Sequence, residues 1–315
     1  MKCLHCGKSI PPSNTTGWHK ACVRRFFGLD YLPQIYTDEK SLELLANQEA
    51  SKGRTVPGVQ KKLSLRLSSD EKNYRLTVID YPTGYILKPQ VKEFEALPQA
   101  EHLVMLMANK AGISTVPHAL IFNGDKAAYI TKRIDRIFSN EGVKMLAMED
   151  FCQLDLRLTQ DKYKGSYERC AKIIQRYSSR PGLDLTELFL RLVFSYLVGN
   201  SDMHLKNFSL IETTEGSSEY ILSPAYDLIP VNIILPEDKE ETALAINGKK
   251  SNLRKNDFLT FSETCQISKQ TAERMIAKLV SMKDVFKAMC EESYLPDNLK
   301  ISFIELIEKR SENFS

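Results

Sequence analysis

The chain has 315 residues, of which 43% are hydrophobic and 26% are charged, and its formal net charge is +3. This composition is typical of a globular protein large enough for two lobes, and it excludes a disordered or fibrous chain. The small positive charge does not by itself indicate nucleic-acid binding. No apolar run approaches the ~20 residues of a membrane span, and the polar start lacks the apolar core of a signal peptide. We therefore expect a cytoplasmic protein that does not contact the membrane.

The first thirty residues contain a group of potential metal ligands. Cys3 and Cys6 are separated by two residues, and His19 and Cys22 follow with the same spacing. Three thiolates and one imidazole suit tetrahedral Zn²⁺, and a segment this short cannot bury a core without such a cross-link. The alternative is a set of incidental reduced cysteines. We favour a structural zinc knuckle over residues 1–30.

The next part of the chain is rich in predicted strands. After a connecting helix and linker over 31–52, apolar residues alternate with polar ones in several short runs, which is typical of half-buried strands. A helix over 99–113 interrupts them, and Gly112 marks its end. The predicted strands cover residues 62–68, 74–80, 84–88 and 127–134.

Helical periodicity dominates after residue 145. The run 184–198 has apolar residues at helical spacing all round, which predicts a buried helix. A hairpin over 208–223 interrupts this helical half. We therefore predict an α+β fold with two lobes, a β-rich N-lobe over 53–140 and a mainly helical C-lobe over 141–315.

The polar stretch "SDMHLKN" directly follows the buried helix. It places Asp202 and Asn207 with four residues between them. Protein kinases use this spacing in their catalytic loop, where the Asp orients the acceptor hydroxyl and the Asn binds Mg²⁺. The predicted hairpin returns the chain so that Asp227 reaches the same end as Asn207, where the two oxygen ligands can share a cation. Taken singly, each of these residues is more often a turn or capping residue.

Candidate ATP-binding residues precede this loop. Lys88 ends the apolar strand "GYILK", where its ammonium could reach the α- and β-phosphates, and Glu101 on the next helix is a candidate partner. The segment "TVPGVQKKL" contains a single glycine, Gly58, and could cover the phosphates although it is not a GxGxxG motif. A solvated lysine at a strand end is the simpler interpretation of Lys88 alone. The occurrence of all these parts in the order found in kinases favours phosphoryl transfer.

These motifs, together with "MEDFCQ", "TKRIDR" and "ALAINGKK", resemble the HipA family of bacterial toxin Ser/Thr kinases over residues 50 to 310. With about 50 residues before the glycine-containing loop, the chain is most similar to HipT, the short kinase of HipBST toxin–antitoxin systems. The resemblance implies a HipA-like kinase fold that uses ATP and Mg²⁺. It implies a HipS-like small protein and a HipB-like DNA-binding antitoxin as partners, with DNA contacted only through the antitoxin. It also implies a protein substrate such as an aminoacyl-tRNA synthetase.

The resemblance also assigns roles to individual residues. It makes Asp202 catalytic, Asn207 and Asp227 ligands of Mg²⁺, and Lys88 a ligand of the ATP phosphates. Thr55 matches the autophosphorylated residue of the family, and Pro57 stands where HipT proteins often have a second acceptor serine. The further nucleotide-binding residues are His204 beside the nucleotide, Gly58, Val59, Gln60 and Lys62 around the phosphates, and Lys132, Arg133 and Ile134 facing the adenine.

Two alternative functions remain open at this point. A small-molecule kinase would need the same catalytic residues, since the "GNxDxHxxN" pattern does not fix the acceptor. A non-catalytic nucleic-acid or antitoxin-binding module would use the knuckle and the basic stretch "NGKKSNLRK" over 247–255 to contact phosphates. The complete set of Lys88, Asp202, Asn207 and Asp227 favours an enzyme.

Overall fold

A computed structural model describes residues 1–35, 62–70, 73–77, 83–123, 126–139 and 142–314. The chain divides into two compact units, and each is described separately. The first contains residues Met1–His102 and Val116–Arg136, so it includes the cysteine-bearing start of the chain. The second contains residues Leu103–Thr115 and Ile137–Ser315.

The first unit is built on an antiparallel sheet. Over the described residues the sheet has six strands in the order β1-β3-β2-β4-β6-β5, and only the β1–β3 pair is parallel. Strand β4 lies between β2 and β6, so Leu87 pairs with Leu63 on one side and Lys88 with Tyr129 on the other. In chain order the elements are α1 (Lys20–Phe27), β1 (Gln34–Ile35), β2 (Leu63–Asp70), β3 (Asn73–Thr77), β4 (Tyr85–Pro89), α2 (Leu97–Lys110), β5 (His118–Asn123) and β6 (Lys126–Lys132). Helix α2 is divided between the units, because its residues from Leu103 onward belong to the second.

The sequence predicted most of this sheet. The two strands expected from alternation correspond to β2 and β3, and the two expected from apolar runs correspond to β4 and β6. Strand β5, "HALIFN", was not predicted. Gln34 and Ile35 form a strand paired with β3, where the sequence analysis placed the start of a helix and linker. The rest of that segment, 36–52, lies outside the described residues.

Helix α2 ends at a glycine as predicted. Gly112 has a φ of +91°, a left-handed conformation that glycine adopts without steric cost. Its N–H donates to the carbonyl of Asn109, and the N–H of Ile113 donates to the carbonyl of Ala108. These bonds satisfy carbonyls that the last helical turn leaves open.

The second unit is mainly helical, with two small sheets. β7 pairs with β8, and β10 lies between β9 and β11. Its elements are β7 (Arg136–Ser139), β8 (Gly142–Met145), β9 (Met148–Asp150), α3 (Phe151–Leu154), α4 (Tyr167–Tyr177), α5 (Pro181–Leu197), β10 (Ser209–Glu212), β11 (Tyr220–Leu222), α6 (Val231–Ile234), α7 (Lys255–Thr264), α8 (Lys269–Ser281), α9 (Lys283–Glu291) and α10 (Asp297–Glu312).

Helix α5 is the central helix of this unit. Its apolar residues Leu185, Leu188, Phe189 and Leu192 are all at most 1% exposed, which confirms the predicted buried helix. Pro181 at its first turn suits a position whose N–H has no intrahelical partner. The helix contacts α4, α7, α8 and α10, so the core forms around it. Among the described residues, none of the helices combines the length and apolar character needed to cross a bilayer.

Candidate active site

The chain leaves α5 through a tight turn at Gly199. This residue has a φ of +73°, and a Cβ there would lie 2.6 Å from Cδ2 of Leu306. The N–H of Asn232 donates to the carbonyl of Gly199 at 3.0 Å, and Ser201 Oγ donates to Asp238 Oδ2 at 2.7 Å. The left-handed conformation therefore favours glycine at this position, and a Cβ would also force the Leu306 side chain to shift. Hydrogen bonds fix the turn at Gly199 and Ser201 before the polar loop begins.

The carboxylate of Asp202 accepts a hydrogen bond from a hydroxyl group. Tyr163 Oη donates to Asp202 Oδ1 at 2.7 Å. The backbone of Asp202 is fixed at the same time, because Asn207 Nδ2 and the N–H of His204 both donate to its carbonyl at 2.8 Å. The loop thus presents a positioned carboxylate that already binds an alcohol-type donor.

Several carboxylates surround the same phenol. Burial first, and then the negative charges of Asp202, Asp238 and Asp227, raise the pKa of Tyr163 above its ordinary value. The phenol therefore stays protonated and remains a donor. The charges of Asp202 and Asp227 therefore both act on this one group. The imidazole of His204, which is 5% exposed, meets the Tyr163 ring edge-on at 5.1 Å between centroids.

The hairpin predicted between Asn207 and Asp227 is formed. Leu210 pairs with Leu222, and the N–H of Ser223 donates to the carbonyl of Ser209. The hydroxyl of Tyr226 donates to the carbonyl of Lys206 at 3.1 Å and contacts the hydroxyl of Ser209. Tyr226, the residue before Asp227, therefore contacts the chain on both sides of Asn207.

Both predicted cation ligands offer oxygen atoms at this end of the hairpin. The Asn207 side chain directs its nitrogen to the carbonyl of Asp202, so its amide oxygen is the atom that can bind a cation. Asp227 has a φ of +59°, a left-handed conformation that is uncommon for non-glycine residues but is adopted by Asp more often than by most. An amide oxygen and a carboxylate are the donors that Mg²⁺ prefers, so this pair fits the ion.

Contacts from distant segments brace the loop further. Tyr167 Oη donates to the carbonyl of Met203 at 2.8 Å, and the Lys206 ammonium lies 2.5 Å from Asp150 Oδ2. Asp150 caps helix α3. Neither these contacts nor the role of Tyr163 could be predicted from the sequence, because the partners lie 36 to 56 residues apart and follow no local periodicity.

The first unit contains the ion pair suggested for the ATP-binding lysine. Lys88 Nζ lies 2.6 Å from Glu101 Oε1, and the two residues are 4% and 0% exposed. The ammonium also lies 5.3 Å from the centroid of the Tyr129 ring, within cation–π range. A Lys–Glu pair between a strand and the following helix is the arrangement that protein kinases use to position the phosphate-binding lysine.

The other predicted nucleotide-binding residues contact the sheet or neighbouring side chains, are half-buried, or lie outside the described residues. The N–H groups of Lys132 and Arg133 donate to the carbonyls of Pro117 and Gly84, so both are engaged within the sheet. The guanidinium of Arg133 binds Asp135 through two hydrogen bonds. Ile134 and Lys62 are half-buried, Lys62 just before β2. Thr55, Gly58, Val59 and Gln60 lie outside the described residues.

The predicted zinc ligands lie together in the first unit. The ligand atoms of Cys3, Cys6, His19 and Cys22 are all within 4.8 Å of one another. Burial acts to raise the pKa of the Cys3 thiol, but hydrogen bonds from backbone N–H groups, first that of Cys6, outweigh it and lower the pKa to about 7. Burial and then the Cys3 thiolate raise the pKa of Cys22. The cysteines in the described residues form no disulfide.

The basic stretch 247–255 is partly neutralised by neighbouring acids. Lys249 lies 2.7 Å from Asp257, and Lys250 lies 3.2 Å from Glu240. Lysines paired in this way present less positive potential to a phosphate backbone. The arrangement therefore disfavours the nucleic-acid-binding alternative.

Comparison with known proteins identifies relatives of this site and fold. The family model described as "HipA-like C-terminal domain" matches residues 54–286. A putative kinase of Sinorhizobium fredii, Y4mE, is 29% identical over 279 residues, which cover 86% of this chain and 62% of that protein. A putative kinase of Haemophilus influenzae is 26% identical over 279 residues, covering 79% of this chain and 78% of that protein. This chain therefore spans less than two thirds of the length of Y4mE.

Two solved structures share the fold. One is HipA from Shewanella oneidensis MR-1, in a complex with HipB and its operator DNA, with a TM-score of 0.68 and 19% identity over 82% of this chain and 64% of that one. The other is the Helicobacter pylori proinflammatory kinase CtkA, with a TM-score of 0.55 and 16% identity over 79% of this chain and 91% of that one. At these identities the likeness concerns the fold, and it agrees with the predicted α+β architecture.

Proposed function

Because the chain belongs to the family of HipA-like C-terminal domains, we propose that it is an ATP-dependent protein kinase that phosphorylates serine or threonine hydroxyls. The observation that supports this most directly is the hydrogen bond from the Tyr163 hydroxyl to Asp202. The donor in this bond is a hydroxyl group, as it would be for an acceptor serine or threonine, and this supports the assignment. An acceptor serine or threonine would use the same oxygen.

Each residue then has a chemical role. Asp202 orients the acceptor hydroxyl and takes its proton as the phosphoryl group moves to the oxygen. Asn207 and Asp227 would hold Mg²⁺, which neutralises phosphate charge when bound. His204 lies beside this loop. In the first unit Lys88, positioned by Glu101, binds the ATP phosphates. The sequence resemblance assigns Lys62 and 58–60 to the same phosphates and 132–134 to the adenine.

A test of this proposal compares the wild type with Asp202→Asn and Asp227→Asn in an assay with γ-labelled ATP and a general protein acceptor. General-base removal typically lowers rates by about 10²–10⁴, so both variants should be nearly inactive while retaining their fold. Asparagine tolerates the left-handed backbone conformation at position 227, so Asp227→Asn should not lose activity through a change of backbone conformation. Asp297→Asn, at a residue whose side chain is 92% exposed on α10, is the matched control and should be fully active.

Activity near the wild-type level in Asp202→Asn would overturn the assignment. Hydrolysis or transfer of the ATP phosphate without labelling of any protein would instead support a small-molecule kinase.

We further propose that the kinase acts as the toxin of a HipT-like toxin–antitoxin system. The similarity of the fold to HipA in a complex with HipB and operator DNA supports a HipB-like antitoxin as partner, through which DNA would be reached. The sequence resemblance adds a HipS-like small protein, and a translation component such as an aminoacyl-tRNA synthetase as substrate. Phosphoproteomics after brief expression, with Asp202→Asn as the reference, tests the substrate class. Growth arrest that persists in Asp202→Asn would contradict a kinase toxin.

Thr55 is the proposed site of autophosphorylation. A phosphate there adds about −1.5 to −2 charges, which would repel the ATP phosphates and weaken nucleotide binding. Mass spectrometry of protein incubated with Mg-ATP should detect phosphate on Thr55. Active wild-type protein that remains unmodified at Thr55, or a Thr55→Asp variant that binds ATP as tightly as the wild type, would contradict this regulation.

A further inference from the structure

We infer that the N-terminal cysteine–histidine cluster is a zinc site whose metal fastens residues 1–30 to one face of the strand that carries Lys88. The site is independent of the proposed catalytic residues in the second unit. Its effect on nucleotide binding rests on the proposed kinase function, whereas its metal content does not.

The geometry of the cluster suits tetrahedral zinc. With Zn–S near 2.3 Å and Zn–N near 2.0–2.1 Å, a sulfur and a nitrogen ligand are expected roughly 3.6 Å apart. Cys6 Sγ lies 3.5 Å and Cys22 Sγ 3.7 Å from Nδ1 of His19. The cluster is therefore compact enough for one ion to replace these contacts.

Contacts with neighbouring backbone atoms orient the ligands before a metal ion binds. Nε2 of His19 lies 3.2 Å from the carbonyl of Ser9, so a proton on Nε2 donates there and leaves Nδ1 as the metal-binding atom. Gly7, with a φ of +68°, closes the turn after Cys6, and its N–H donates to the carbonyl of Cys3. These are the features of a preformed metal knuckle.

The knuckle packs directly against the sheet. The N–H of Leu120 on β5 donates to the carbonyl of Leu4 at 2.8 Å. Tyr85 Oη on β4 donates to the carbonyl of Phe26 at 3.4 Å, and the rings of Phe26 and Phe27 lie 5.8 and 5.5 Å from the Tyr85 ring. The ring of Trp18 lies 5.7 Å from that of Phe26 at an angle of 60°, and Trp18 is 1% exposed.

This packing covers the face of β4 that is opposite to Lys88. Tyr85 and Lys88 are three residues apart on β4, and successive side chains of a strand alternate, so the two point to opposite faces. The knuckle therefore supports one face while Lys88 binds Glu101 on the other. A segment of about thirty residues has too little core to fold alone. Loss of the metal should release it and expose the Tyr85 face.

The chain provides its own reporter for this event, since Trp18 is the only tryptophan. Full-length protein purified without chelator should contain about one zinc ion per chain by elemental analysis, and Cys3→Ser/Cys6→Ser should contain none. Cys290→Ser, the same change at a buried cysteine of α9, is the matched control and should keep the metal. Chelation should shift Trp18 fluorescence to longer wavelength and weaken binding of an ATP analogue by about tenfold.

Each outcome bears on a different claim. Protein without zinc, zinc retained in Cys3→Ser/Cys6→Ser, a Cys3–Cys6 disulfide in freshly purified protein, or unchanged Trp18 emission after chelation would each overturn the metal site. If loss of zinc shifts the Trp18 emission but leaves the affinity for the ATP analogue unchanged, the claim that the knuckle supports the strand carrying Lys88 is wrong. Failure of the zinc-loaded wild type to bind the analogue at all would count against the proposed kinase function, while the metal and fluorescence results would still stand.

Discussion

The hydroxyl of Tyr163 donates a hydrogen bond to Asp202 Oδ1 at 2.7 Å, across 39 residues of sequence. A phenol therefore occupies the position that an acceptor hydroxyl would take on the proposed catalytic carboxylate. Tyr163 is 43% exposed, so it can move away when an acceptor arrives. The bond nevertheless competes with acceptor binding.

Replacement of this tyrosine should improve acceptor binding. A hydrogen bond to a charged group contributes about 1.5–3 kcal/mol when buried, and solvent reduces it here, so we expect Tyr163→Phe to lower the acceptor KM by roughly threefold to tenfold. The kcat should stay near the wild-type value. Steady-state kinetics with a general protein acceptor measure both constants. Tyr177→Phe, a similarly exposed tyrosine stacked on Arg176, is the control, and a raised KM in Tyr163→Phe would contradict competition.

The sequence predicted those parts of the site that depend on local spacing. The predicted zinc ligands form two pairs with two residues between the members of each, and Asp202 and Asn207 belong to one loop after a recognisably buried helix. The order of Lys88 and Glu101 along the chain suggested their pairing. The contact of Tyr163 with Asp202 could not be predicted, because it depends on how the segment after α3 folds back on the loop. No periodicity in the sequence reports such a long-range contact.

In the fold, too, local sequence patterns did not predict every element. Strands with one buried face, such as β2, alternate and were predicted, whereas β5 is apolar on both faces and does not alternate. Helical periodicity was expected from residue 145 onward, but Met148–Asp150, directly before α3, pair with β10. That pairing is a tertiary interaction that overrides the local helical preference.

The buried ion pair of the first unit should matter for both stability and nucleotide binding. Removing one partner of a buried pair typically costs about 3–5 kcal/mol, so Lys88→Met should lower the free energy of unfolding by an amount of this order. Lys88→Met/Glu101→Leu should recover much of that loss, because no buried charge remains. Neither variant should bind an ATP analogue.

Urea denaturation and analogue titration distinguish these effects. Lys110→Met, at an exposed lysine that ends α2, is the control and should change neither quantity. Analogue binding restored in the double variant would contradict the role of Lys88 in binding phosphate.

Two buried histidines should make the protein less stable in acid. His102 and His118 contact each other through their Nδ1 atoms at 3.1 Å. Burial first, and then neighbouring histidines, lower the pKa of both. Below the unfolded value near 6.5 the unfolded chain binds protons that the folded chain does not, so stability falls as the pH drops below 6.5. Above pH 6.5 these two histidines do not make the stability depend on pH.

Each histidine should contribute up to about 1.4 kcal/mol per pH unit to this loss. Urea denaturation between pH 5 and pH 7.5 measures it, with metal analysis at each pH to separate loss of zinc. His118→Gln should reduce the slope. A wild-type free energy of unfolding that is constant from pH 7 to pH 5 would refute the effect.

Gly199 should be required for both the fold and the activity of the loop. Any other residue there would have to adopt a φ near +73°, which costs roughly 1–2 kcal/mol, and its Cβ would lie 2.6 Å from Leu306 Cδ2. Gly199→Ala should therefore lower the free energy of unfolding by about 1–3 kcal/mol and displace Ser201 and Asp202, so phosphoryl transfer should fall as well. Leu306→Ala in the same chain removes the clash but not the backbone cost, so it should restore only part of the stability.

The control for this glycine is Gly182→Ala. Gly182 lies in the first turn of α5, and a Cβ added there would have no other atom within 4 Å. The change should therefore leave phosphoryl transfer as it is and leave stability unchanged or slightly raised, because alanine restricts the unfolded chain more than glycine does. Urea denaturation and the labelled-ATP assay measure both quantities. Wild-type stability and transfer rate in Gly199→Ala would refute the requirement, since the strain and the close contact at Leu306 would then have no consequence for the loop that carries Asp202.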